Sequence, residues 1–425
     1  MITKIEAVNY RCLKRISQSL SPFQILVGPN ASGKTTFLDV ITFISDIVNK
    51  GIDEAVTARS QNFNDLTWSG NGGDIELSIE CKIPSPIVKE MGDNKDKNYL
   101  RYELKIGLSD ANEYSIKGER VLIFEPQKSD EPLQRPLFPE YIDHQKNVFN
   151  KELPKNGKEK SYKLIIKKNP SGNDNFYPEY YPKGSGGWLP SFKLGYRKSS
   201  LANLPADESK FPASTWLKEY LDNNIQRLVL NSQRIREASR PGQGKNFLSD
   251  GSNLPWVIED LKTKHRSSFD DWIKHVRTAL PDISEINISE IPDIKFKYLK
   301  IKYNNGIEVP SWTASDGTLR LLALTLIAYL PDFNGIFLIE EPENGVHPKV
   351  METVFQSLSS VYDAQILLAT HSPVILGIAD LKNILCFAKT KEGITDIVSG
   401  DQHPQLQNWQ KDTSLSTLFA SGVLG

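Results

Sequence analysis

The chain of 425 residues, 39% of them hydrophobic, can bury the core of one large domain with an insertion, or of two domains. Its net charge of −1 gives no overall basic field that would indicate binding to nucleic acid or to an acidic membrane. The three cysteines, Cys12, Cys81 and Cys386, lack metal-ligand spacing, and no apolar run approaches the roughly 20 residues of a membrane span. We therefore expect a cytoplasmic protein that makes no membrane contact.

Residues 25–40 predict a buried strand, a glycine-rich loop and the start of a helix, in that order. In such a Walker A loop Gly28 and Gly33 let backbone N–H groups curl around a phosphate, with the positive end of the helix beneath the anion. Lys34 reaches the β- and γ-phosphates, and the hydroxyl of Thr35 is placed to hold Mg²⁺. A chance glycine-rich turn is the alternative, and the flanking strand and helix argue against it. The predicted ligands of ATP are Gly28, Asn30, Gly33, Lys34, Thr35 and Thr36, with Thr35 also at the metal.

Residues 81–210 predict an insertion between an N-terminal part of the domain, 1–80, and a C-terminal part, 211–425. Asp74–Ile83 and Tyr99–Leu108 alternate polar and apolar residues, which is typical of antiparallel strands. The stretch from 85 to 200 has 21 Lys and Arg against 16 Asp and Glu. It is either a solvated, loop-rich subdomain or a surface for a partner or nucleic acid. The aromatic residues of the second alternative are Tyr177, Tyr180, Tyr181 and Trp188.

Three segments after the insertion have the apolar spacing of amphipathic helices: Thr215–Leu230, Asn253–Lys264 and Ser267–Leu280. We expect them to form a helical lid beside the turn that follows. No heptad pattern is sustained, so long coiled-coil arms are not expected.

The turn Ser315-Asp316-Gly317 precedes an apolar helix predicted from Leu321 to Leu330. Ser315 can be a plain N-cap of a core helix. Alternatively, the Ser-x-Gly turn is a second anion-binding device, in which Ser315, Asp316 and Gly317 contact the nucleotide.

Two further strands end in chemically useful residues. The run from Gly335 ends in Glu340 and Glu341, which predicts a Walker B strand. Glu340 would hold Mg²⁺ through its water shell, and Glu341 would be the general base for water. The run from Ile366 ends in His371, which could contact the γ-phosphate or orient the water. Glu341 and His371 are therefore the predicted catalytic residues.

The order of phosphate loop, Ser-x-Gly helix, Glu-Glu strand and strand-His resembles that of ABC-type ATPases of the RecF and SMC class. The chain is more closely similar to the stand-alone AAA-family ATPases of bacterial phage-defence operons, akin to the ATPase half of the overcoming-lysogenization-defect proteins. The local patterns that carry the resemblance are residues 2–13, 253–261, 315–320 and 418–425.

The resemblance implies an α/β fold, namely an ABC-type P-loop ATPase head with a mixed sheet and a helical lid, here with an inserted β-rich, loop-rich subdomain. It also implies ATP hydrolysis in a homodimer or higher homo-oligomer. The Ser315 turn of one subunit would then close over the ATP of another.

Two departures from the family pattern stand out. Asp316 occupies a position at which the ABC signature usually has glycine. A glutamine after the first helix is expected, but the nearest candidate, Gln61, has a poor context and receives no role.

The longer relatives carry a nuclease domain after the ATPase, for which the 54 residues after His371 are too few. We therefore expect any nuclease or toxin to be a separate effector protein.

Three functions follow as hypotheses. The first is an ATP-hydrolysing sensor or regulator that works with a separate effector in anti-phage defence, which the motif set and the resemblance favour. The second is a RecF-like ATPase of DNA repair or recombination that binds DNA directly, which the basic insertion favours. The third is a scaffold that assembles on ATP and hardly turns over, for which Asp316 is the best argument.

Overall fold

The computed structural model describes residues 1–92, 96–126, 135–141, 148–150, 162–180, 190–244, 246–331, 333–406 and 415–422. Tyr181 and Trp188 of the predicted aromatic surface lie outside these residues, as do residues 423–425 of the tail. The strands are β1 Ile2–Tyr10, β2 Leu13–Ser19, β3 Phe23–Val27, β4 Ile75–Lys82, β5 Tyr99–Leu108, β6 Tyr114–Phe124, β7 Tyr162–Lys167, β8 Asp174–Phe176, β9 Ser191–Phe192, β10 Ile225–Leu228, β11 Ile283–Ile291, β12 Phe296–Tyr303, β13 Glu308–Pro310, β14 Ile336–Glu340, β15 Gln365–Ala369, β16 Ile384–Lys389 and β17 Thr395–Ser399. The helices are α1 Lys34–Asn49, α2 Ile52–Thr57, α3 Ser85–Glu90, α4 Pro212–Asn223, α5 Ser232–Arg236, α6 Leu254–Lys264, α7 Arg266–Ala279, α8 Asp316–Leu326, α9 Pro348–Ser359, α10 Pro373–Ile378 and α11 Leu415–Ala420.

A six-stranded sheet in the order β10-β14-β15-β3-β16-β17 positions the candidate site. Its strands are parallel except for the last pair, β16 and β17. The central strands are apolar runs such as Ile336-Phe-Leu-Ile and Ile366-Leu-Leu-Ala, which suits strands that are buried on both faces. Because the carboxyl ends of parallel strands meet at one edge, the loops after β3, β14 and β15 lie together.

An eight-stranded antiparallel sheet has the order β2-β1-β4-β5-β6-β7-β8-β9. The strands predicted at Asp74–Ile83 and Tyr99–Leu108 are confirmed as β4 and β5. The predicted boundary between residues 80 and 81 falls inside β4, and strands from both sides of it share this sheet. The domain limits themselves stay a prediction.

Helix α1 lies between the two sheets, because its apolar residues cluster both with β1, β4 and β5 and with one face of β14 and β15. The opposite face of the six-stranded sheet packs against α6–α9 in a second core. A small sheet, β11-β12-β13, contacts α6 and α7. The α/β class with a mixed sheet and a helical layer is thus confirmed.

Helices predicted at Asn253–Lys264 and Ser267–Leu280 are confirmed as α6 and α7. The prediction of one helix over Thr215–Leu230 is wrong after residue 223. Helix α4 ends at Asn223, and Ile225–Leu228 instead forms β10, which pairs in parallel with β14. Here tertiary pairing overrides a local helical pattern.

Within the described residues, no helix combines the length and apolar character needed to cross a membrane.

Charged groups are buried in the antiparallel sheet. Arg101, 1% exposed, forms ion pairs with Glu6, with Glu80 at 2.7 Å and with Glu103 at 2.6 Å. Lys4 also pairs with Glu6, and Arg120 also pairs with Glu103, so Arg101 stands at the centre of a buried ion-pair network.

Residues 135–141, from the predicted insertion, contact the edge strand β17. The two terminal nitrogens of Arg135 donate to the two carboxylate oxygens of Asp396 at 2.9 and 2.8 Å. The backbone N–H of Glu140 donates to the same carboxylate at 2.8 Å. This bidentate pair ties residues 135–141 to the sheet that carries the candidate site.

Candidate nucleotide-binding site

The loop between β3 and α1 requires its two glycines. Gly28 has φ +150°, and a Cβ there would stand 2.1 Å from the carbonyl oxygen of Phe387. Gly33 has φ +110°, and its Cβ would stand 2.6 Å from Oγ1 of Thr395, which donates to Ser32 O at 2.8 Å. The loop is thus held tightly against β16 and β17, and side chains at either glycine are excluded.

Lys34 is the first residue of α1, and its side chain folds back onto the loop. Its Nζ donates to the carbonyl oxygens of Gly28 at 2.8 Å and Pro29 at 3.0 Å. Burial lowers the pKa of Lys34, and the nearby carboxylates of Glu341 and Glu340 oppose that shift. Among the described residues, the hydrogen bonds of this buried ammonium go to neutral carbonyl oxygens, which leaves it suited to a bound anion.

Thr35 and Glu340, the two predicted metal ligands, meet directly. Thr35 Oγ1 donates to Glu340 Oε2 at 2.5 Å. The other carboxylate oxygen accepts from Arg227, at 3.1 Å from Nε and 2.8 Å from Nη2. Strand β10 supplies Arg227 from its place beside β14. The described residues include no group of three or more His, Cys, Asp or Glu able to hold a metal. A cation here would therefore rely on Thr35, Glu340 and phosphate oxygens, which suits Mg²⁺.

Glu341 follows β14 with an unusual backbone. Its φ is +48°, a left-handed value that is strained for a residue with a side chain. Its N–H donates to Ala369 O at 2.8 Å, and its carboxylate accepts from Asn344 Nδ2 at 2.6 Å. These contacts hold an exposed carboxylate at the edge of the sheet.

His371 follows β15 and is held by Glu343. The Glu343 carboxylate accepts from the backbone N–H of His371 at 2.7 Å and from the hydroxyl of Thr370 at 2.9 and 3.0 Å. Burial lowers the pKa of His371, and the charge of Lys34 lowers it further, while Glu341 and Glu343 raise it. The lowered pKa favours the neutral form of the imidazole near pH 7.

Lys34, Thr35, Glu340, Glu341 and His371 line one cavity of about 480 Å³. The hydroxyl of Ser32, 1% exposed, has no hydrogen-bond partner among the residues that the structure describes. A buried polar atom without a partner, in a glycine-rich loop that leads into a helix, fits a phosphate ligand. The lining comprises Cys12, residues 30–36, Glu340, Glu341, Ala369 and His371.

The Ser315 turn, residues 315–317, does not belong to the lining of this cavity. Ser315 is the N-cap of α8 and accepts from Thr318 N at 3.2 Å, so the plain capping role exists. The carboxylate of Asp316 accepts from Arg236 Nε at 2.8 Å. Gly317 packs closely, since a Cβ there would lie 3.1 Å from Gly345 O. Within the described residues, no hydrogen bond joins this turn to the phosphate loop, and the turn does not line the cavity.

The structure therefore brings together Asn30, Gly33, Lys34, Thr35, Thr36, Glu340, Glu341 and His371, with Gly28 at the base of the loop. It leaves Ser315, Asp316 and Gly317 apart from them. Sequence reasoning missed Arg227, Glu343 and Arg236. Glu343 follows the predicted Walker B acids two residues after Glu341 and could have been considered, whereas the two arginines lie in segments without a motif.

A phosphate loop, two acids and a histidine at the carboxyl edge of such a sheet define a P-loop ATPase of ABC type. The chain belongs to the family described as "AAA domain, putative AbiEii toxin, Type IV TA system", whose profile matches residues 23–377. It is also similar to the "Retron Vc95 probable ATPase" of Vibrio cholerae serotype O1 biovar El Tor, with 31% identity over 145 residues. That match spans 31% of this chain and 26% of the relative, so only about a quarter of the relative is covered.

Solved structures of SMC head domains are similar over nearly the whole chain. The SmcHead bound to the C-winged helix domain of ScpA has a TM-score of 0.49 at 14% identity, covering 94% of this chain and 97% of that one. The SMC head domain from Thermotoga maritima has a TM-score of 0.42 at 9% identity, covering 94% and 98%. At these scores and identities the likeness supports no conclusion about activity or partners.

Proposed function

We propose that this protein binds and hydrolyses ATP with Mg²⁺ at sites shared between two copies, and that it regulates a separate effector, a nuclease or a toxin, in bacterial defence against phage. The observation that carries the ATPase proposal is the meeting of Lys34, Thr35, Glu340, Glu341 and His371 around one cavity. The relation to retron and abortive-infection proteins supports the defence role.

Each side chain has a role in this proposal. Lys34 would bind the β- and γ-phosphates, and Thr35 and Glu340 would hold Mg²⁺. The bound metal would neutralise charge on the phosphates. Glu341 would accept the proton of the attacking water, and neutral His371 would orient that water or contact the γ-phosphate.

Two substitutions test the ATPase. Lys34→Ala removes the buried charge, so ATP binding measured by calorimetry should be lost. Glu341→Gln keeps the shape of the side chain but removes the base, so the variant should bind ATP and stall. Unchanged ATP affinity in the first variant, or wild-type turnover in the second, would contradict these assignments.

The shared site is supported by the resemblance to ABC-type ATPases and by the fact that, within the described residues, the Ser315 turn does not line the cavity of its own copy. Lys34→Ala and Ser315→Arg chains should each be inactive, yet a mixed dimer contains one site with both defects and one with neither. We expect activity to recover on mixing. Absence of recovery, after native mass spectrometry has shown mixed dimers, would contradict a shared site.

The regulatory role is tested by what the purified chain does alone. It should hydrolyse ATP without cutting nucleic acid, and its expression alone should not kill cells. Nuclease activity of the pure protein that resists Lys34→Ala would refute the role. Hydrolysis that is strongly stimulated by DNA would favour the RecF-like alternative, and ATP-dependent assembly without turnover would favour the scaffold.

A further inference from the structure

The Ser315 turn carries a negative charge at the point where it would approach a triphosphate. Asp316 is the first residue of α8, and its side chain is 56% exposed. A carboxylate at a helix N-terminus stabilises the helix, but it repels any anion that approaches the same backbone N–H groups. A turn with an unmasked Asp316 would therefore be a poor partner for the phosphates of a neighbouring copy.

Arg236 covers this charge. Its Nε and Nη2 both lie 2.8 Å from Asp316 Oδ1, and Nη1 donates to the carbonyl oxygen of Trp312 at 3.2 Å. The hydroxyl of Ser311 donates to the backbone carbonyl of Arg236 at 2.9 Å. In the segment before α8, Trp312 thus holds the guanidinium beside the carboxylate and Ser311 holds the backbone of Arg236, although Arg236 and Asp316 are 80 positions apart in sequence.

The masking is specific to this arginine. Arg234 lies two residues before Arg236 on α5. Its side chain is 58% exposed, and its partner, Glu237, lies 3.4 Å away and directly follows the same helix. Such an exposed local pair contributes little. Arg234 therefore provides a matched control of the same charge on the same helix.

We propose that Arg236 is a positioning residue that neutralises Asp316 and so allows the Ser315 turn to close over the triphosphate held by a second copy of this chain. This inference rests on the shared site proposed above. The Arg236–Asp316 pair would take the place of the uncharged glycine found in the signature of the ABC-type ATPases that the chain resembles.

The test is a double-variant cycle in the Glu341→Gln background, which should hold ATP without turnover. ATP-dependent association is measured by analytical ultracentrifugation as a function of ATP concentration. Arg236→Ala exposes Asp316, and we expect the ATP concentration at half-association to rise roughly tenfold, which corresponds to about 1.4 kcal/mol. Arg234→Ala should shift it less than twofold.

The decisive variant removes both charges. Arg236→Ala combined with Asp316→Gly should associate like the Asp316→Gly single variant, because without the carboxylate there is no charge to mask. If Arg236 only supports the fold, or contacts the phosphates itself, the double variant stays defective, and the proposal is overturned. Arg236→Lys, which keeps the charge, should retain most of the association if Arg236→Ala proves unstable in thermal melts.

Failure of this proposal is separable from failure of the shared site. Recovery of activity on mixing Lys34→Ala with Ser315→Arg chains, together with no rescue in the double variant, refutes only the masking role. No recovery in that mixing experiment refutes the shared site itself.

Discussion

Glu343 gives a sharp test of how the site is held together. Its carboxylate accepts from the backbone N–H of His371 and from the hydroxyl of Thr370, which is fully buried. In Glu343→Ala both donors lose their acceptor, and a buried donor without a partner costs about 1–3 kcal/mol. We expect the lost hydrogen bonds to displace His371 and to raise the activation free energy of hydrolysis by a similar amount. kcat should then fall by about 10- to 100-fold, since about 1.4 kcal/mol is a factor of ten.

ATP affinity should change little, because Glu343 does not line the cavity of the phosphate loop within the described residues. Phosphate release measures kcat, and binding of a fluorescent ATP analogue measures affinity separately. Glu343→Gln keeps one acceptor oxygen and should lose less activity. Glu352→Ala on α9, an exposed glutamate, is the control and should behave as wild type. Wild-type kcat and melting temperature in Glu343→Ala would refute the reasoning.

Three further predictions concern the loop, the sheet and pH. Gly28→Ala should abolish ATP binding in calorimetry, since its Cβ would stand 2.1 Å from Phe387 O; normal affinity would contradict the observed loop. Arg101→Met should lower the free energy of unfolding by about 3–5 kcal/mol, because Glu6, Glu80 and Glu103 each lose a buried ion pair, and only Glu6 and Glu103 keep a second cation, Lys4 and Arg120 respectively, among the described residues. Lys117→Met on the neighbouring strand β6, which breaks a partly exposed pair with Asp74, should cost about 0–1 kcal/mol in the same urea titration. Burial lowers the pKa of His275, His371 and His403, so the unfolded chain binds more protons, and the melting temperature should fall as pH drops below about 6.5. A constant melting temperature from pH 7.5 to 5.5 would contradict this.

The phosphate loop, the acids and His371 could be predicted because each is encoded by a contiguous pattern. A strand, a glycine-rich loop and a helix follow one another within residues 23–49. Strand β14 ends at Glu340, and His371 follows the end of β15 by two residues. Parallel pairing then brings the strand ends together without further sequence information.

The remaining features depend on pairings between distant segments. Residues 225–228 continue a helical spacing, yet they form β10 because β14, more than a hundred residues later, offers a parallel partner. Only that pairing brings Arg227 to Glu340. Similarly, Asp316 in the signature position looks unfavourable in sequence, and the compensating Arg236 becomes visible only when α5 packs beside α8.

Strand β17 contacts both the phosphate loop and residues 135–141, which belong to the predicted insertion. Thr395 donates to Ser32 O in the loop, whereas the adjacent Asp396 binds Arg135 from residues 135–141. Successive side chains of a strand point to opposite faces, so one strand contacts both partners. Deleting the insertion would also remove Glu179, whose carboxylate caps α4 through the N–H groups of Ala213 and Ser214. A test of coupling between nucleotide and insertion should therefore alter the Arg135–Asp396 pair, because that change leaves the cap and the shared sheet in place.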